Sequence, residues 1–139
     1  MSRHSDCVFC NFDSKYILEE TSHSFAAYFD CAIRKGHIVV ALKEHVESLS
    51  GLSQEQAADL MQLAARVAKK AEALAGCEKF YLVSIADVTP HYHVHLLPKM
   101  PGTAPIGPHV MGETGWCGEV GEPVTAGNIA AFISAYREK

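Results

Sequence analysis

Three histidines occupy every second position in Pro90-His91-Tyr92-His93-Val94-His95-Leu96-Leu97-Pro98. In a β-strand successive side chains point to opposite faces, so His91, His93 and His95 share one face while Tyr92, Val94 and Leu96 take the other. A helix would put residues two apart about 200° apart around its axis and scatter the rings. Imidazoles held this close depress one another's pKa by like-charge repulsion, leaving neutral rings able to act as nucleophile, general base or metal ligand. A lone strand histidine is usually a polar surface or hydrogen-bonded core residue, but three at period two fit that reading poorly.

A second cluster is Cys7-Val8-Phe9-Cys10. Two thiolates two residues apart in a tight turn make half of a tetrahedral zinc site, which then needs two ligands from elsewhere. A redox Cys-x-x-Cys is the competing reading. It normally sits at a helix N-terminus after a strand, a setting this N-terminal position does not offer.

The 139 residues predict one domain over 1–139, with a core from about 7 to 99 and an irregular loop plus C-terminal helix over 100–139. Apolar residues at 48%, charged residues at 20%, a net charge of −4 and a pI near 6.0 describe a soluble globular chain. They argue against a non-specific nucleic-acid or membrane surface. The absence of an apolar N-terminal h-region and of a membrane-length apolar run makes the expected location cytoplasmic. The five cysteines are odd in number and irregularly spaced, so disulfides are not expected, and Cys31 and Cys77 sit in apolar contexts.

The elements that must carry these residues follow from pattern. Ser24 to Phe29 reads as a strand closed by Asp30, and Gly36-His37 leads into Ile38-Val39-Val40-Ala41-Leu42, a β-branched run suited to a central strand buried on both sides. These two should pair antiparallel, with His37 and His45 at opposite ends of the second. Ser53 to Gln56 forms a Ser-x-x-Gln capping box. Ala57, Leu60, Met61, Ala64, Val67, Ala68, Ala71 and Leu74 then follow at helical spacing until Gly76. Phe80 to Ile85 resumes the β pattern, Ala86 to Pro90 turns, and the histidine strand returns beside it. Beyond Pro98 a glycine-rich loop holds Trp116, and Thr125 caps a final helix with Ile129, Phe132, Ile133 and Tyr136 on its apolar face.

With these residues in place the chain resembles the histidine-triad (HIT) family, whose signature is His-x-His-x-His followed by two apolar residues. His91-Tyr92-His93-Val94-His95-Leu96-Leu97 matches it in full, and the likeness extends over roughly Cys7 to Lys99. It implies an α+β fold with a mainly antiparallel sheet, one long helix and a short C-terminal helix. It also implies hydrolysis or transfer at the α-phosphate of nucleoside phosphoramidates or dinucleoside polyphosphates. By the same resemblance His93 matches the nucleophile, the backbone carbonyl of His91 steadies its other ring nitrogen, and His95 and His37 attend the phosphate. Asp30 matches the acid that accepts from ribose hydroxyls, Phe29 and Ile38 line the base pocket, and Lys99 stands where an arginine is frequent. In several bacterial-type members a Cys-x-x-Cys joins histidines matching His45 and His91 around zinc, so Cys7, Cys10, His45 and His91 form the implied structural site. No catalytic metal is implied. A homodimer is.

Many members carry Gly-Gln and then Ser or Thr just before the triad, supplying phosphate and leaving-group contacts. Here the stretch is Ile85-Ala86-Asp87-Val88-Thr89-Pro90, leaving Asp87 or Thr89 as substitutes. Two other functions compete with the nucleotidyl-histidine enzyme. One is a zinc metallohydrolase with the triad histidines as ligands, and the other is a nucleotide-binding regulator with weak turnover.

Overall fold

The computed structural model describes residues 5–28, 35–105, 107 and 125–139. Among the described residues five strands form one antiparallel sheet: β1 (Ile17–Glu20), β2 (Ser24–Ala27), β3 (Ile38–Leu42), β4 (Lys79–Val83) and β5 (His93–Lys99). Their spatial order is β1-β2-β3-β5-β4, so the two strands richest in candidate residues lie side by side at the centre. β3 is buried at all five positions, as a β-branched run covered on both faces requires. The helices are α1 (Gln54–Ala75) and α2 (Ala126–Arg137).

Period-two alternation sorts the sheet into two faces. Ile38, Val40, Leu42, Tyr92, Val94 and Leu96 pack with α1 and α2 in the main core. On the opposite face Val39 and Ala41 join Phe9, Phe25 and Ala27 in a smaller cluster. The register sets Val39 opposite His95 and Ala41 opposite His93, placing those histidines on that second face.

Both helices begin with a reciprocal capping box, Ser53 with Gln56 and Thr125 with Asn128. Helix α1 ends at Gly76 in the left-handed conformation, φ 67°, as the sequence predicts. Its buried stripe is rotated from the expected one. Leu60, Leu63, Ala64, Val67, Ala71 and Ala75 face the core while Ala57 and Met61 are exposed. The apolar face of α2 is as expected, with Ile129, Phe132, Ile133 and Tyr136 buried.

Strand β1 has no counterpart in the sequence reading, because Ile17-Leu18-Glu19-Glu20 shows neither alternation nor an apolar run. Tertiary bonds hold it there: Tyr136 donates to Glu19 at 2.6 Å, Arg66 lies 2.5 Å from the same carboxylate, and Arg137 donates to the Ile17 carbonyl. The histidine strand also starts later than expected, at His93 rather than His91. The backbone N–H groups of His91 and Tyr92 go to the carbonyls of Thr89 and Val46, and Pro90 has no N–H to pair. In the preceding turn Ala86 takes φ 53°, a left-handed conformation unusual for a residue with a β-carbon.

Gly36 fixes how the chain enters β3 beside His37. Its φ is 89°, its N–H donates to Tyr28 Oη at 3.1 Å, and an added β-carbon would lie 2.8 Å from Ala75 Cβ. Gly36→Ala is therefore expected to lower stability by about 2–3 kcal/mol, through positive-φ strain and overpacking together. Urea titration checks this, and a loss below half a kcal/mol would show that the turn relaxes.

Candidate functional site

The residues singled out by spacing assemble into two adjoining groups on the second face. In the first, His93 is 6% exposed and its Nδ1 lies 2.6 Å from the carbonyl of His91. A carbonyl can only accept, so Nδ1 carries the proton and Nε2 presents a lone pair. Next to it the His95 ring approaches edge-on, with centroids 4.8 Å apart. His95 Nδ1 lies 3.0 Å from Nε2 of buried His37, across the β3–β5 ladder.

Burial sets the charge state of these rings. It holds His93 below the ordinary histidine pKa despite the bond to His91, and it brings His95 down to about 4, with repulsion from His93 adding to it. Mutual repulsion, the cause expected from sequence, is thus second to desolvation. The linkage to stability follows. Folded His95 stays neutral while the unfolded chain takes up a proton below about pH 6.5, so this group costs stability as pH falls from 6.5 towards 4. The urea midpoint is expected to drop between pH 7 and 5, and His95→Gln to flatten that slope. An unchanged slope in the variant would remove His95 as the source.

The second group is Cys7, Cys10, His45 and His91, whose ligand atoms all lie within 4.8 Å of one another. Cys7 Sγ is 3.3 Å from His91 Nδ1, Cys10 Sγ is 3.4 Å from His45 Nδ1, and the two Nδ1 atoms are 3.2 Å apart. The far nitrogens are already committed. His91 Nε2 donates to the Leu42 carbonyl at 2.7 Å and His45 Nε2 to Glu47 at 2.9 Å. Both Nδ1 lone pairs therefore point into one space with two sulfurs, a donor set that repels itself unless a cation sits among it. Two Cys and two His fit a closed tetrahedral zinc site. A cavity of about 410 Å³ lined by Asp6, Cys7, His45, Glu47 and Thr89 opens beside it.

His91 belongs to both groups, through its ring to the cysteines and through its carbonyl to His93. Among the described residues the triad rings are not gathered as one ligand set, because His91 faces the cysteines while His95 bonds to His37.

Other expectations fall differently. Phe29 and Asp30, like Cys31 and Trp116, lie outside the described residues. Ile38 is fully buried in the main core, on the face turned from the histidines, so the base-pocket expectation does not attach to its side chain; its neighbour Val39 is the one on the histidine face. Lys99 is 7% exposed, and its ammonium donates to the Thr103 carbonyl at 2.8 Å, with Glu78 3.4 Å away. Asp87 is exposed, and Thr89 is half-buried with its carbonyl on the His91 N–H. Sequence reasoning passed over Phe9, whose ring centroid lies 4.7 Å from that of His93. Its position inside the Cys-x-x-Cys turn was the available signal. A larger cavity of about 740 Å³, beside Lys43, Glu44, Ser53 and Gln56, contains none of these residues.

Comparison with known proteins gives the family and the fold. The HIT-domain family model matches residues 12–102. The chain is 32% identical over 102 residues to the adenosine 5'-monophosphoramidase hnt1 of Schizosaccharomyces pombe, covering 67% of this chain and 74% of that one. It is 30% identical over 103 residues to the nitrilase and fragile histidine triad fusion protein NitFhit of Caenorhabditis elegans, covering 66% of this chain. That alignment spans only 22% of the fusion protein's length. A solved zinc-bound histidine triad family protein of Mycobacterium smegmatis superposes with a TM-score of 0.67 at 18% identity over 96% of each chain, a likeness of fold.

Proposed function

Since this chain belongs to the HIT family, we propose that it is a nucleotide hydrolase or nucleotidyl transferase acting at an α-phosphate through a covalent nucleotidyl-His93 intermediate. The observation that carries the reading is the 2.6 Å bond from His93 Nδ1 to the His91 carbonyl, which leaves a neutral Nε2 as the attacking atom. Attack at the α-phosphorus forms a P–N bond as the bond to the leaving amine or phosphate breaks. His93 then carries the positive charge, and the hydrogen bond to the His91 carbonyl stabilises it. Water, or another acceptor in transfer, attacks the same phosphorus, breaks the P–N bond and returns a neutral imidazole. One difficult displacement becomes two easier ones.

His95 and His37 act as a pair on the phosphate. His95, held neutral, directs Nε2 outward while its Nδ1 is engaged by His37. Asp30 is assigned to the ribose hydroxyls and Phe29 to the base, with Lys99 fixing the loop at Thr103 beyond β5. Thr89 or Asp87 stands in for the missing leaving-group contacts. Substrates are nucleoside phosphoramidates, as for the named S. pombe relative, or dinucleoside polyphosphates.

The assigned metal is zinc on Cys7, Cys10, His45 and His91. When bound it cross-links the N-terminal turn to the histidine segment and has no open position for substrate. Among the described residues no helix is long and apolar enough to cross a membrane, and the assigned location is cytoplasmic. The assigned assembly is a homodimer through α1 and edge strand β4, where Met61 is 52% and Leu82 44% exposed. Sedimentation at micromolar concentration giving only a 15.1 kDa species would refute it.

The function is tested by assaying nucleoside phosphoramidates and dinucleoside polyphosphates with and without chelator. Turnover that survives brief chelation supports the histidine mechanism. Immediate, metal-restorable loss would favour a catalytic metal, and tight nucleotide binding without turnover would favour the regulator.

A further inference from the structure

The Cys-x-x-Cys turn carries between its sulfurs a ring that meets the nucleophile assigned above. Phe9 is 6% exposed, and its ring lies 4.7 Å from that of His93, centroid to centroid, at an interplanar angle of 42°. It also lies 5.5 Å from the His91 ring. Behind it stand Phe12 at 6.1 Å and Phe25 at 6.3 Å. Such a close-packed wall yields little to a push from the front. The His95 ring meets His93 from another direction, at 76°.

The Nδ1 bond to the His91 carbonyl pins one corner of the imidazole and fixes its tautomer. It does not by itself stop the ring from rocking about that corner, and rocking carries Nε2 away from the line of attack. A phenyl ring on one side and a histidine edge on another remove that freedom. We propose that Phe9 is a positioning residue for His93, holding Nε2 in line with the phosphorus, an inference that rests on the nucleophile reading of His93. Reacting groups must be held within about 0.5 Å and 10–20°, and a displacement of about 1 Å costs on the order of 10²-fold. Phe9 is anchored on both sides, because Cys7 and Cys10 belong to the metal-ligand group and the Asn11 N–H closes the turn on the Cys7 carbonyl at 3.2 Å. The turn thus reaches His93 by two routes, through the His91 carbonyl and through the Phe9 ring.

The test uses the full zinc-loaded chain and compares Phe9→Leu with Phe25→Leu, a cut of similar size in the same aromatic cluster. Three quantities are read for each: kcat and KM on a nucleoside phosphoramidate, zinc content, and the ring ¹⁵N signals of His93 at fixed pH. In Phe9→Leu, kcat is expected to fall about 10- to 100-fold with KM within about threefold. Zinc should be retained, and the His93 Nε2 signal should shift or broaden as the ring rocks about its Nδ1 bond. Phe25→Leu is expected to lose comparable thermal stability while keeping kcat within about threefold. A folded, zinc-loaded Phe9→Leu with kcat within about twofold of wild type and unchanged His93 signals would overturn the proposal. So would a rise in KM at constant kcat, which assigns Phe9 to substrate, or an equal kcat loss in Phe25→Leu. If the wild-type chain turns over no nucleotide, the nucleophile reading fails separately. A change in the His93 Nε2 signal confined to Phe9→Leu would still support the positioning contact, and its absence would refute it.

Discussion

His93→Ala is expected to lower turnover of a nucleoside phosphoramidate by on the order of 10³-fold or more while nucleotide affinity changes little. The asymmetry follows from what the ring does. Its Nε2 forms a bond only as the reaction proceeds, whereas ground-state binding is spread over base, ribose and phosphate contacts. His93→Gly leaves space in which added imidazole can restore part of the rate, because the missing nucleophile is then supplied from solution. Rapid acid-free quenching of the wild-type chain should trap a nucleotidyl group on the peptide containing His93, labile to acid as phosphoramidates are. Near-normal turnover in His93→Ala would sink the covalent route.

Loss of a metal ligand should act chiefly on the fold. Protein purified without chelator is expected to hold about one zinc per chain, and Cys7→Ser to lose most of it along with about 3 kcal/mol or more of stability. The size reflects two things the site does at once. Bound zinc would tie the segment before the 3-10 turn Ser14–Tyr16 to the residues leading into β5, and would neutralise two imidazole lone pairs 3.2 Å apart. Metal analysis and thermal melts read both effects. Stoichiometric zinc in a Cys7→Ser/Cys10→Ser double variant would put the metal elsewhere.

The parts of the fold governed by local pattern were legible in the sequence. β3 declared itself by its β-branched run, α1 by its capping box, α2 by its Thr125 cap and apolar face, and the triad by period two. β1 was not legible, since Glu19 and Glu20 carry no strand signal and the segment is held by Tyr136, Arg66 and Arg137 from far along the chain. The site divides the same way. Residue types at fixed spacing marked the histidines and cysteines, but which ring faces which partner depends on register: that His95 meets His37 while His91 turns to the cysteines is set by β3 lying antiparallel to β5. Ile38 was misplaced by one step in that alternation, which is enough to exchange pocket for core. Lys99 drew notice for its charge, yet its partners Thr103 and Glu78 come from a loop and from the segment before β4.

The pairing of β3 with β5 also sets where the chain can gain or lose residues. His37 at one end of β3 meets His95, and the Leu42 carbonyl at the other end holds His91, so the stretch 37–42 runs beside the stretch 91–95. At about 3.3 Å per residue this is a rigid gauge between the His37–His95 pair and the Cys7–Cys10–His45–His91 group. A single-residue insertion or deletion within 37–42 or 91–95 would invert the faces of everything beyond it and detach one end from the other. The connections outside this gauge are under no such rule. Length variation among functional relatives of this chain should therefore collect between Glu47 and Ser53 and beyond Lys99, leaving the two gauge segments at constant length.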